Sequence, residues 1–425
     1  MRRRGPRFEV DSRVSRVLVV LAVVASLAQP RAAHAHGVEQ LASVAHGAQE
    51  DAELAIGRPG EARDTPRPKP ADDAPATAPP AQDSRPKDDS RAEPDGPFVR
   101  RTADGRWKVT RLVPGDAGPG VVFEVLPRER DTLELVLAGR PYTLHLRGDE
   151  VAPPVEHAQP ETLLVLSDIE GNLDAFVALL RAANAIDEHL DWSFGKGHVV
   201  LAGDFVDRGL KVTECLWLAY ELEGRARKAG GGVHFILGNH EVMNLTGDLR
   251  YVRRKYVEAA ALMGETVDAL YARDTVLGRW LRTRNAIERI GDSVYVHGGI
   301  SPAVAATKPT VKGLADALRD ALLAETWTKP KEGLLAAAAG KDGLTWYRNY
   351  VQEPVVSESE VDGVLAAFGV KRVVVGHTIV PRVGLALGGR VLTVDVHHAG
   401  GNSQAALLEK GAWVRLFPDG RREGL

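Results

Sequence analysis

Six short apolar, β-branched runs constrain this chain more than any other feature, at 162–166, 198–201, 233–237, 293–296, 372–375 and 391–394. Continuous apolar runs of this length suit strands covered on both faces. Helix-like stretches at 173–185 and 213–228 separate the first three, so the texture is α/β, with no fixed-period repeat. The first run ends in Ser167-Asp168-Ile169-Glu170-Gly171-Asn172 and the second in Gly203-Asp204-Phe205-Val206-Asp207-Arg208-Gly209. The next three end in Gly238-Asn239-His240-Glu241, His297-Gly298-Gly299 and Gly376-His377-Thr378. In open α/β sheets, ligands bind at the carboxyl ends of the strands. Five successive strands thus deliver Asp, Asp, Asn, His and His to one edge. One Gly-Asp at a strand end is ordinary turn chemistry; five such endings in order are not.

A single cysteine, Cys215, excludes an internal disulfide framework and any cysteine-based zinc cluster. Asp, Glu, Asn and His form an oxygen- and nitrogen-rich donor set for hard or borderline divalent cations. Two such ions sharing a bridging carboxylate can clamp an in-line phosphoryl displacement. The net charge of −3 lacks the basic surplus of a nucleic-acid binder, so none is expected as a partner. The glycines of 333–340 are too widely spaced for a phosphate-binding loop, and Asp342 stands where Ser or Thr is required. Gly-x-Ser-x-Gly is absent, which removes the usual serine-hydrolase elbow.

The ordered set of motifs resembles the calcineurin-like metallophosphoesterases, in particular their Ser/Thr protein phosphatase branch. The continuation from Gly238 to Asn244, then Gly247-Asp248-Leu249-Arg250-Tyr251, is similar to the Shewanella-like phosphatases within it. The resemblance covers roughly residues 160–400. It implies two packed mixed β-sheets flanked by helices, with a dinuclear metal centre at the strand ends. It further implies that Asp204 bridges the ions, Asp168 binds the first, and Asn239, His297 and His377 complete the second. His240 becomes the general acid, oriented by Asp207, and Arg208 grips phosphate oxygens with Arg348 as a second arginine. Asn172 and Asn244 are candidates for touching the site. The expected reaction is hydrolysis of phosphate monoesters by a metal-bound hydroxide, with phosphoserine and phosphothreonine proteins as the implied substrates. Nucleotide or small-molecule phosphoester hydrolysis uses the same ions and stays open.

One position departs from the family pattern: Glu170 replaces the usual histidine of Asp-x-His. As an oxygen ligand it adds negative charge and favours Mn²⁺ or Mg²⁺ over zinc, with manganese preferred and iron or zinc as alternatives. The other reading is a first metal held weakly, which at its limit leaves a phosphate-binding protein. One of His397 and His398 is a candidate to compensate, although exposed turn histidines are expected there. Arg250, Arg253, Arg254 and Lys255 read as a solvated basic face near the site.

The amino-terminal part has another character. Six arginines in residues 1–16, an apolar run at 17–28 and Ala33-His34-Ala35 make a secretory signal peptide over 1–35, with export to the periplasm or medium. The apolar run is too short to span a bilayer, so no stable span remains after cleavage. Ten of the 25 prolines fall in 48–97, and no aromatic residue occurs between Phe8 and Phe98, so 36–97 is expected to be a disordered linker. Short alternating runs punctuated by Gly and Pro make 98–150 a small β-rich module that packs on its neighbour. The resemblance implies that residues 158–418 form the metallophosphoesterase domain.

Overall fold

The computed structural model describes Asp88 and residues 90–425, with 149 and 329 excepted. The expected signal peptide and most of the expected linker lie outside these residues.

The chain enters through β1 (Asp95–Arg101), β2 (Trp107–Val113) and β3 (Gly120–Val125), an antiparallel sheet, followed by the hairpin β4 (Thr132–Leu137) and β5 (Arg140–His145). Then come β6 (Glu156–His157), β7 (Leu163–Leu166), β8 (His198–Leu201), β9 (Gly232–Phe235), β10 (Ile287–Ile290) and β11 (Ser293–Val296). The last strands are β12 (Arg372–Val375), β13 (Gly384–Ala386), β14 (Val391–Thr393), β15 (Ala405–Glu409), β16 (Ala412–Leu416) and β17 (Arg422–Gly424). Two six-stranded sheets result, ordered β17-β16-β15-β7-β8-β9 and β13-β14-β12-β11-β10-β6. Both are mixed: β7, β8 and β9 are parallel, as are β11, β12 and β14, while β15 runs antiparallel to β7 and β10 to β11.

The apolar runs explain why two sheets pack. Successive strand side chains point to opposite faces, and here both faces are covered. Leu163, Val165 and Val200 meet Tyr295, Val374 and Leu392 between the sheets. Leu164, Leu166, Val199 and Leu201 face outward into the larger core. That core also takes Phe176 of α1 (Leu173–Ala182) and Leu216 of α2 (Val212–Ala229). The short helix α3 (Asn239–Leu245) and α4 (Arg254–Leu262) follow β9.

The amino-terminal module lies on α2. Trp217 Nε1 donates to the Pro97 carbonyl at 2.9 Å, and the Arg147 guanidinium stacks 3.6 Å over the Tyr220 ring. The described structure includes part of the expected linker. Glu93 and Asp95, inside the expected linker, pair with the buried Lys255 ammonium at 2.8 and 3.3 Å. Lys255 therefore belongs to an internal ion pair rather than to a solvated face. Pairing also extends past the expected carboxyl boundary of the large domain, since β17 adds to β16.

Candidate metal centre

Backbone strain marks the site before any side chain is considered. Among the described residues, twelve non-glycine residues have left-handed φ, and six of them are Asp168, Glu170, Asp204, Asp207, Arg208 and His377. This conformation costs roughly 1–2 kcal/mol per residue and persists only where the surroundings over-determine it. Glu241 supplies part of that determination. Its buried carboxylate accepts N–H bonds from Asp204, Phe205, Val206 and Gly238 at 2.7–3.2 Å, tying the loop after β8 to the start of α3. Gly238 is needed for the same approach, because a Cβ there would collide with the Asp204 carboxylate.

Asp204, Asn239, His297 and His377 come together, all buried. His297 Nδ1 donates to the Ala202 carbonyl at 2.8 Å, which turns Nε2 inward. That nitrogen lies 2.9 Å from Asn239 Oδ1, 3.1 Å from Asp204 Oδ2 and 3.1 Å from His377 Nδ1. Donors bound to one ion at about 2.0–2.2 Å stand about 3 Å from each other, so the set fits a divalent cation. Ligand atoms of Glu170 and His240 also lie within 4.8 Å of Asp204 and of one another. Asp168 is held by the His377 backbone N–H at 3.0 Å.

The charges point the same way. Burial raises the Asp168 and Asp395 carboxyls, and each is raised further by neighbouring carboxylates. Burial also works against Asp204, but the His297 and His240 rings outweigh it and hold that carboxyl low. Burial opposes a proton on His297, yet Asp204 and Asp168 lift its pKa to about 10. A pocket this rich in buried carboxylates is relieved by positive charge.

Beside the donors, His240 Nδ1 bonds Asp207 Oδ2 at 2.7 Å, and its Nε2 faces Asp204 Oδ2 at 3.7 Å. Burial lowers the His240 pKa, but the Asp204 and Asp207 carboxylates overcome this and raise it. Asn244 donates to Asp207 Oδ1 at 2.9 Å, so it supports the acid that holds His240. Asn172 does not join the site, because its side chain caps α1 by accepting the Ala175 N–H. Arg208 forms an ion pair with Glu170 and lies 5.3 Å from the Tyr251 ring. Arg348 donates to the His377 carbonyl at 2.7 Å, near Asp168, Asp204 and Asp395. His397 is exposed as expected, whereas His398 is buried beside Ser167. Asp395 and Glu241 are the acids that the motifs left without a role. Their signal was position, one at the end of the last run and one at the end of the third motif.

Fold and site define a calcineurin-like phosphoesterase: that family's model matches residues 161–381, and the chain belongs to the family. It is similar in structure to the cold-active protein-tyrosine phosphatase of a psychrophilic Shewanella species. The identity is 34% and the TM-score 0.72, covering 79% of this chain and all of that one. It is also similar to Shewanella-like protein phosphatase 2 of Arabidopsis thaliana, 24% identical over 52% of this chain and 67% of that protein. A symmetrical bis(5'-nucleosyl)-tetraphosphatase of Neisseria meningitidis is 30% identical over 34% of this chain and 45% of its own length. The chain is a phosphatase of the metallophosphoesterase type, with divalent ions as its cofactors and phosphorylated compounds as its substrates. No helix among the described residues is long and apolar enough to cross a membrane.

Proposed function

We propose that the protein hydrolyses phosphate monoesters on proteins with two divalent ions, preferentially manganese, and with His240 as the general acid. Asp204 would serve both ions, Asp168 would hold the first together with Glu170 once that carboxylate leaves its pairing with Arg208, and Asn239, His297 and His377 would complete the second. The ions supply Lewis-acid charge to the phosphoryl group and to the attacking water. The His240–Asp207 pair carries this reading, because Nδ1 is committed to Asp207 and Nε2 faces Asp204. A mere phosphate binder has no need of a poised proton donor. His240 gives its Nε2 proton to the departing oxygen, and the Asp207 carboxylate stabilises the imidazolium until then. Arg208 and Arg348 orient the phosphate through planar, bidentate contacts. Similarity along the full length of a protein-tyrosine phosphatase, against under half of the tetraphosphatase, favours phosphoproteins over nucleotides. Phosphoserine and phosphothreonine are included alongside phosphotyrosine.

Wild type and His240→Asn are to be compared on phosphoserine peptide, phosphotyrosine peptide, nitrophenyl phosphate and diadenosine tetraphosphate. An alkoxide needs a proton to leave and a nitrophenolate does not. The substitution is therefore expected to cost most of about 10²–10⁴-fold on phosphoserine and much less on nitrophenyl phosphate. Equal losses would make His240 a positioning group. Preference for the dinucleotide would establish the nucleotide reading. Absence of wild-type turnover with Mn²⁺, Mg²⁺, Fe²⁺ and Zn²⁺ supplied in turn would leave a binding protein.

The amino-terminal pattern supports export, with the mature chain starting near His36. A reporter fused after Ala35 is expected to cross the membrane, and cytoplasmic protein retaining Met1 would refute that.

A further inference from the structure

β8 ends toward Asp204 and begins at His198, where a second group of titratable side chains gathers. β6 contributes His157, β9 contributes His234 and β10 contributes Glu288, which is fully buried. Glu288 Oε2 lies 2.7 Å from His234 Nδ1 and 3.1 Å from His157 Nε2. These ligand atoms all fall within 4.8 Å of one another. The far sides are braced as well. Asn285 Nδ2 donates to Glu288 Oε1 at 2.8 Å, and His234 Nε2 meets His198 Nδ1 at 2.8 Å. The His198 and His234 rings stack with centroids 5.0 Å apart. Gly232 makes room for them, since a Cβ there would stand 3.0 Å from His198 Nδ1 and 3.1 Å from His234 Nε2.

We propose that His157, His234 and Glu288 form a third divalent-cation site, distinct from the catalytic centre, which takes zinc and fastens the two sheets together. Two imidazoles and one carboxylate suit a borderline ion and form a donor set that zinc accepts, one position being left to solvent. A ligating histidine characteristically engages its second ring nitrogen with an outer partner, which fixes tautomer and orientation. His198 does this for His234, and Asn285 plays the matching part for Glu288. The ligands come from β9 in one sheet and from β6 and β10 in the other. An ion here therefore clips the sandwich where the sheets are otherwise joined by the bridge between Ile236 and Asn285. The competing arrangement is a metal-free hydrogen-bonded cluster, in which His157 Nε2 also reaches the Pro154 carbonyl at 2.9 Å. Metal binding displaces the proton from that nitrogen. The proposal does not depend on the phosphatase reading.

The test counts zinc in full-length protein stripped by chelator and dialysed against zinc. Asp204→Asn is used as the background, to weaken the catalytic centre. Asp204→Asn/His157→Ala is expected to hold one zinc per chain fewer than Asp204→Asn alone, and to lose part of the zinc-dependent rise in melting temperature. In an otherwise wild-type chain, His157→Ala is expected to keep phosphatase turnover within about twofold. If His157→Ala does not fold, Glu288→Gln serves for the same subtraction. Equal zinc counts in the compared chains overturn the site and leave the metal-free cluster. Measuring metal content and melting separates this result from any failure of phosphatase activity.

Discussion

Glu223 on α2 has both carboxylate oxygens occupied. One accepts from Arg284 and Arg227, each at 2.7 Å, and the other accepts from Trp280 Nε1 at 2.6 Å. Burial favours the neutral acid, yet Arg284 and Arg147 outweigh it and hold this carboxyl below its ordinary 4.5. A depressed carboxyl contributes stability above its unfolded pKa and loses it as pH falls through the folded value. Glu223→Gln removes the nearer countercharge of the buried Arg284 guanidinium, a change that costs about 3–5 kcal/mol. Denaturant melts at pH 7 should show that loss, and the gap to wild type should narrow below pH 4.5. An unchanged midpoint would mean that Glu150, 3.7 Å from Arg284, suffices as its partner. Glu241, another buried acid, holds backbone N–H groups instead of a cation. The sequence displayed Glu241 inside a motif, but its task was not legible there. Its four donors come from two loops joined only by folding.

At the scale of elements, the six apolar runs became β7, β8, β9, β11, β12 and β14, displaced by at most two residues at an end. Sustained apolarity made them visible, because both of their faces are buried. β10 was missed because Ile-Glu-Arg-Ile does not carry that signal, Glu288 being buried through its histidine partners. β15, β16 and β17 were missed as well. β15 lies antiparallel beside β7, and β16 and β17 add outward from it, an order along the sheet that no local pattern records. α2 has an outer face that the amino-terminal module covers. Trp217 and Tyr220 are fully buried, and the β5 end is tied to Glu221 through His145 Nδ1 at 2.7 Å. A chain starting at residue 151 exposes these aromatics. Large apolar side chains each contribute about 1.5–3 kcal/mol on burial. The truncated protein should melt lower and aggregate, as light scattering during a thermal melt would reveal. A melting temperature equal to that of the full chain would show that the module does not stabilise α2.

For the whole molecule, the sequence by itself determined the α/β class, the order of the motifs and the identity of nearly every group around Asp204. It did so because those groups sit at strand ends, where chain order and spatial order coincide. The split of the strands between two sheets was implied by resemblance alone, since parallel strands of either sheet present the same apolar pattern. Only the tertiary structure decided that Asn172 caps a helix, that Lys255 turns inward to Glu93 and Asp95, and that Glu170 meets Arg208. It alone brought His157, His198, His234 and Glu288 together from four strands. None of these four lies in a motif, and His234 and Glu288 are 54 residues apart. The physical reason is the same in each case. A side chain's partner across a sheet or between sheets is fixed by register and packing, which act at distances along the chain that no local pattern records.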